Sequence, residues 1–345
     1  MYLKNLSELY GASGNEEAVK KYIREIVKKT GKIDYIKEDH LGNLMCFKKG
    51  KNQKKTLVLM AHMDEVGLLV SKIEEDGKLN VLPVGGVDPR VLLGKRVVVG
   101  EKNIDGIIPF KAIHLQKSDY KKVPDWNDIR VDIGAKDKKD AESRVGIGDY
   151  CHFNTSFEEY ENRYIGKAFD DRAGCSIMLD VLESMTELPT YNVIFAFVVQ
   201  EEIGLRGSGA VLKHFHPDAA LILEGTTAGD NPELKKERWS THLDNGPAIN
   251  YLQSMYVIDR RLFNAIIRTA EDIKIPYQMK GRTVGGTDAG RLARSFYGVP
   301  GAVVNVPARY IHSPVSVMSK SDYHHTFKLV KALVMTENYL EALEV

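Results

Sequence analysis

Five short stretches of this sequence carry side chains that can bind divalent cations or move protons. Ala61-His62-Met63-Asp64-Glu65 follows the apolar run Thr56–Met60. His62 offers an imidazole nitrogen. Asp64, two residues on, points to the same side of an extended chain and can orient that ring through its second nitrogen. Phe169-Asp170-Asp171-Arg172 precedes a helical stretch, where adjacent carboxylates could equally cap the helix and complement its dipole. Val199-Gln200-Glu201-Glu202 ends an apolar run with two glutamates. Two neighbouring anions are costly to bury unless a cation offsets them; one can then ligate a metal while the other acts as general base. Leu221-Ile222-Leu223-Glu224 and Arg309-Tyr310-Ile311-His312 add a carboxylate and an imidazole. Apart from the Glu201-Glu202 pair, each stretch alone is more often structural than catalytic. Together, His62, Asp170, Glu202, Glu224 and His312 form a set of two imidazoles and three carboxylates. Such nitrogen and oxygen donors suit zinc, cobalt or manganese. Three carboxylates also balance most of the charge of two divalent cations, and one of them can bridge ions roughly 3.5–4 Å apart, as in two-metal hydrolases.

The elements that must position these groups alternate between strands and helices. Residues 13–30 predict a helix, with Ser13 and Glu16 as a capping box and Val19, Tyr22, Ile23, Ile26 and Val27 on one face. Strands are predicted at Ile33–Glu38, Asn43–Lys48 and Thr56–Met60. After residue 166 come a helix at Ala173–Met185, a strand at Tyr191–Val199, a helix at Gly207–His214 and a strand at Ala219–Leu223. A helix at Ile258–Ile273, a strand at Gly301–Val306 and a long helix at Lys320–Leu343 complete the pattern. Four of the five stretches lie where a buried strand ends, and open α/β sheets bind ligands beyond the carboxyl ends of their strands. Residues 68–163 differ. Short runs at Gly67–Lys72, Lys78–Val84, Arg96–Val99, Ile104–Pro109 and Tyr150–Phe153 alternate with turn residues, as in a small all-β unit. The charged segment Gln116–Arg130 reads as a mobile loop. One α/β domain, residues 1–67 and 164–345, is therefore expected to be interrupted by a β insertion, residues 68–163.

With 345 residues, about two domains are expected. The 48 basic and 47 acidic side chains leave a net charge of +1, without the basic excess of a nucleic-acid binder. No apolar stretch reaches about 18 residues, so no membrane span is expected. The N-terminus lacks the pattern of a signal peptide, and a cytoplasmic location is expected. Cys46, Cys151 and Cys175 are too few and too widely spaced for a disulfide framework or a thiolate zinc site. Gly285-Gly286-Thr287-Asp288-Ala289-Gly290 lacks the Gly-Lys-Ser/Thr ending of a phosphate loop. It predicts instead a tight turn beside the site, with Asp288 bonded locally.

The ordered motifs resemble the dimetal aminopeptidases of the glutamyl, deblocking and tetrahedral (TET) type. The resemblance spans the chain. It includes Ala61–Gly67, Gly85–Pro89, Leu93–Val97, Asp132–Ala135, Ala168–Arg172, Val199–Gly207, Gly285–Gly290 and Arg309–Ser313. It implies a zinc-peptidase-like α/β/α sandwich interrupted by a β-barrel, PDZ-like dimerisation domain. It also implies a cis Asp170–Asp171 peptide bond and two metal ions bridged by Asp170. His62 and Glu224 would complete one metal site, and Glu202 and His312 the other. Glu201 would be the general base and Asp64 the support of His62. Relatives often carry Asp at the position of Glu224; glutamate keeps the charge and adds a methylene. The implied activity is release of N-terminal residues from peptides by a metal-activated water, in homodimers assembled into a dodecamer. Competing readings are another dimetal hydrolase, such as a deacylase or an endoglucanase-labelled relative, and a non-catalytic peptide-binding assembly subunit.

Overall fold

The computed structural model describes the chain except residues 116–122, 232–233, 255, 281–284, 296 and 345. Its larger sheet centres on four parallel strands in the order Tyr191–Val198, Asn52–His62, Ala219–Thr227 and Gly301–Arg309. Leu44–Lys48 and Tyr35–Glu38 continue it antiparallel at one edge, and Ser316–Ser319, Arg163–Gly166 and Glu158–Glu159 at the other. Every residue of Tyr191–Val198 is buried. Side chains alternate between faces, so both faces of this strand are covered, as its unbroken apolar run requires. Helix Phe169–Ser184 packs on Asn52–His62 and Ala219–Thr227, and helices Asp288–Ala293 and Lys320–Met335 pack on Gly301–Arg309.

Helix Glu17–Thr30 buries Val19, Ile23 and Val27 and stops at Gly31, whose φ of 63° is left-handed. Glycine takes that conformation without a Cβ clash, and Lys28 and Lys29 complement the last turn. The expected Ser13–Glu16 capping box does not form: Glu16 is the N-cap residue, with no side-chain cap bond. Both side chains bond elsewhere, as described below. The expected Lys320–Leu343 helix ends at Met335, where Thr336 is extended, and a short helix Asn338–Glu341 follows. The break buries Tyr339, whose hydroxyl donates to Ala220 O at 2.8 Å. Gly207–His214 shortens to Ser208–Val211. The strand expected at Ala219–Leu223 runs on to Thr227, so Glu224 lies within it rather than after it.

Residues 67–153 build a second, six-stranded sheet in the order Ile104–Ile107, Arg96–Val99, Tyr150–Phe153, Gly67–Ile73, Leu79–Val84, Arg130–Val131. Its ends meet where Ile107 and Asp132 exchange backbone hydrogen bonds of 2.9 and 2.8 Å, giving a nearly closed barrel. Leu68, Leu79, Val97, Val131 and Phe153 belong to its own core, separate from that of the larger sheet. Part of the predicted loop Gln116–Arg130, residues 116–122, lies outside the described residues. The remainder includes a turn, Trp126–Asp128, capped by Asp125, and the start of strand Arg130–Val131. Among the described residues, no helix is long and apolar enough to cross a membrane.

Candidate metal centre

The parallel strands deliver the chemistry at their carboxyl ends. His62 is the last residue of its strand and pairs with Val198, so Glu201 and Glu202 emerge just beyond. Glu224 pairs with Asn305 one strand further on, and His312 follows the end of Gly301–Arg309. Asp170 enters from the start of helix Phe169–Ser184, where Asp170 and Asp171 have non-helical backbone angles and are joined by a cis peptide bond.

Asp170 divides its two oxygens between two groups of side chains. Oδ1 lies 3.3 Å from His62 Nε2, which is 3.5 Å from Glu224 Oε2. Oδ2 lies 3.5 Å from His312 Nε2, which is 3.4 Å from Glu202 Oε2. These spacings exceed the usual hydrogen-bond distance. They match the edge of a tetrahedron, about 3.3 Å for zinc-like bonds of about 2.0–2.1 Å. Glu224 Oε1 and Asp171 Oδ2 are buried with no hydrogen-bond partner. The Nε2 atoms of His62 and His312, each set between two carboxylate oxygens at that spacing, together with these unpartnered acceptors, fit divalent cations.

Both imidazoles are oriented from behind. His62 Nδ1 is 3.1 Å from Asp64 O and 3.3 Å from Asp64 Oδ1. His312 Nδ1 donates to Gly86 O at 2.9 Å. A carbonyl oxygen only accepts, so Nδ1 carries a proton, and the neutral ring therefore turns its Nε2 lone pair to the centre. Asp64 also accepts from Glu201 N and Glu202 N at 3.0 and 3.1 Å. Below the site, Lys167 Nζ pairs with Glu65 at 2.6 Å, and Arg172 donates to Met63 O and Leu6 O, both at 2.6 Å. Sequence reasoning missed Gly86, Lys167 and Arg172. The Ala168–Arg172 motif gave the one available hint, since a buried cation beside paired aspartates needs an anionic or carbonyl partner. Cys175, expected to pack rather than react, is buried and donates to His62 O at 3.1 Å.

The electrostatics describe a site short of positive charge. Burial pushes Glu202 up to about 8 against the pull of His312, and Glu224 up to about 7 against that of His62. Burial also holds Glu201 and Asp171 well above the carboxylate range. Burial opposes a charged His312, yet Asp170 and Glu202 outweigh it and hold the ring at about 9. Asp170 stays below its usual range because the two imidazoles overcome its burial. The protons gathered here stand where cations would otherwise balance the carboxylates. Asp288 departs from its expected local turn. The cap of helix Asp288–Ala293 is Thr287, whereas Asp288 is buried, pushed up to about 6 by burial, with Oδ1 unpartnered. A cavity of about 810 Å³ opens over the cluster and is also lined by Asn250, Lys280, Arg238 and Asn305.

A mixed α/β sheet whose central parallel strands gather imidazoles and carboxylates at their carboxyl ends carries the donor set of a metal-dependent hydrolase. Within that class, the chain belongs to the M42 glutamyl aminopeptidase family, whose profile matches residues 42–329. The lysyl aminopeptidase of Pyrococcus furiosus is 31% identical over 350 residues, covering 96% of this chain and 95% of that protein. The glutamyl aminopeptidase of Lactococcus lactis subsp. cremoris is 30% identical, covering 99% and 98%. Among solved structures, an endoglucanase from Thermotoga maritima is 44% identical, with a TM-score of 0.84 and 99% of each chain covered. The TET1 peptidase of Pyrococcus horikoshii, which can assemble into a tetrahedron or a large octahedral shell, is 32% identical. Its TM-score is 0.85, with 96% of this chain and 98% of that one covered. The motif resemblance to the glutamyl and TET aminopeptidases therefore holds.

Proposed function

We propose that this chain is a two-metal aminopeptidase with Glu201 as its general base. The observation that carries the proposal is the division of the Asp170 oxygens between two imidazole–carboxylate triads. His62, Asp170 and Glu224 would hold one ion, and Asp170, Glu202 and His312 the other, with zinc or cobalt the best fit to these donors. When bound, the ions would acidify the attacking water and polarise the scissile carbonyl. Glu201, half-buried and facing the cavity, takes the proton from that water and returns it to the leaving amine. Asp64 holds His62 in the required tautomer. Lining residues of the cavity receive the N-terminal residue of a peptide. In this reading residues 1–67 and 164–345 form the catalytic domain. Residues 68–163 form a PDZ-like dimerisation domain, and dimers assemble into a dodecamer.

Amino-acyl p-nitroanilides assayed with and without chelator test the proposal. Release of product, lost with chelator and restored by zinc or cobalt, is the expected result; inertness in every metal would reject it. Glu201→Gln should keep its bound metal and lose turnover by about a hundredfold or more; wild-type turnover would remove Glu201 from the role of base. His312→Ala should instead lower metal stoichiometry. The Thermotoga relative makes carboxymethyl cellulose a necessary control. Two imidazoles interleaved with the carboxylates favour metal hydrolysis over glycosidase chemistry, and no cellulose cleavage is expected.

A further inference from the structure

The Ser13–Glu16 pattern does not cap its helix, and both side chains have other partners. Ser13 Oγ donates to Asp64 Oδ2 at 2.6 Å. Glu16 Oε1 accepts from Gly14 N at 2.7 Å and from Gln200 N at 3.1 Å. Asp64 in turn accepts from Glu201 N and Glu202 N. Three consecutive backbone N–H groups, at residues 200, 201 and 202, are therefore held by two buried carboxylates. Gln200 has a φ of +56°, an unusual conformation for a residue other than glycine. A left-handed residue in a loop turns successive N–H groups towards a common side, where anions can collect them. Here the acceptors are the protein's own carboxyl groups.

The far side of the turn is gripped as well. Tyr150, in a strand of the smaller sheet, donates its hydroxyl to Ser13 O at 3.1 Å. Gly14, at φ +89°, allows that approach, since a Cβ there would lie 2.7 Å from the Tyr150 hydroxyl. Asn15 Nδ2 lies 3.1 Å from His152 Nε2 in the same strand. Ser13 and Glu16 are only 2% and 6% exposed, so water cannot substitute for these bonds.

We propose that Ser13 and Glu16 are positioning residues: with Asp64 they clamp the Gln200–Glu202 backbone, and Tyr150 of the smaller sheet seats the clamp. Its catalytic significance rests on the reading of Glu201 and Glu202 given above. The carboxylate of Glu201 is only as well placed as the backbone that carries it, and small misplacements of a reacting group cost large factors in rate.

The test uses full-length, metal-loaded enzyme and the variants Glu16→Ala, Glu16→Gln, Ser13→Ala and Tyr150→Phe. Hydrogen–deuterium exchange is followed in peptides spanning residues 199–202, with kcat, KM and metal content measured in parallel. Glu16→Ala should raise exchange there by about tenfold or more, the loss expected for a buried hydrogen bond to a charged group. It should lower kcat while KM and metal content stay near wild type. Glu16→Gln keeps an accepting oxygen and should restore both readings. Ser13→Ala removes one hydroxyl and should loosen the same amides, which keeps the test open if Glu16→Ala fails to fold. Tyr150→Phe, which touches no proposed ligand, should loosen them too. Wild-type exchange in Glu16→Ala, or Glu16→Gln behaving like Glu16→Ala, overturns the clamp. An inert wild-type enzyme would sink the aminopeptidase reading instead, and the exchange data would still decide the clamp.

Discussion

Asp170 gives one oxygen to each triad, so its replacement should be felt at both. Asp170→Asn leaves one oxygen and puts an amide nitrogen, which cannot ligate, towards the other imidazole. Metal analysis of the purified variant should find less of both ions; loss of one alone would mean that Asp170 does not bridge. Lys280 offers a second prediction. Among the described residues lining the cavity, Lys280 and Arg238 are the cations outside the candidate metal centre, and the carboxylates all lie within it. Burial draws Lys280 below the usual lysine range, against the pull of Glu224 and Asp170, so an anionic side chain there would be welcome. N-terminal Glu should exceed N-terminal Lys in kcat/KM by about tenfold, and Lys280→Glu should invert the order. Wild-type preference for Lys would reject the assignment. That His62, Glu202 and Glu224 gather in one place was legible because polar chemistry at the end of an apolar run is costly without a purpose, whereas Asp170 stands at a helix start, where its pattern alone reads as a cap, and only the resemblance singled it out. Ser13 and Glu16 were misread because Ser-x-x-Glu before a helix is the same local pattern whether or not it caps. Only the fold brings Asp64, 51 positions from Ser13, within reach.

The strand Ala219–Thr227 supports the site with more than Glu224. A Cβ on Gly225 would lie 2.7 Å from Asp170 Cα and 2.9 Å from its nitrogen. Backbone cannot yield as a flexible side-chain tip does, so Gly225→Ala must displace Asp170 or the strand. The expected cost is about 1–3 kcal/mol in denaturant unfolding, together with weaker metal binding in a calorimetric titration. Unchanged metal affinity would show that Asp170 tolerates the shift. The central strands were legible because each is a continuous apolar run between turn residues. Their ends were not. Glu224 stays in register with Asn305 because the neighbouring strand continues to Arg309, information that lies more than 80 positions away. Likewise, the bend at Thr336 follows from the docking of Tyr339 against Ala220, not from any breaker in the sequence.

At the scale of the molecule, the change from long helical periods to short β runs pointed to the smaller sheet, whose strands lie between residues 67 and 153, whereas the near-closure through Ile107 and Asp132 left no sequence signal. His152 lies where the two sheets meet, stacked on Tyr10 at 5.2 Å and on Tyr150 at 5.8 Å. Burial pulls it down to about 4, with Lys167 and Arg172 adding to the effect and Glu65 opposing it. An unfolded histidine titrates near 6.5. Between about pH 6.5 and 4 the unfolded chain thus takes up a proton that the folded one refuses, and stability falls as pH falls. The loss by pH 4 should be on the order of 3 kcal/mol. His152→Phe keeps the stacking and should flatten this part of the curve when urea midpoints are compared at pH 7 and 5; an unaltered slope would clear His152. The loop that follows strand Leu79–Val84 of the smaller sheet also contributes directly, because Gly86 O accepts from His312 Nδ1. Excising residues 68–153, which leaves the larger sheet's own strands in place, should therefore weaken metal binding at His312 more than at His62 in metal titrations.

That long reach along the chain also sets the order in which the protein is made. On the ribosome, His62 emerges first and the barrel bearing Gly86 can fold early. One triad can close once Glu224 has been synthesised. The other stays open until the Gly301–Arg309 strand joins the sheet and His312 meets Gly86. In the two-metal reading proposed above, a half-made chain holds only one of the two triads.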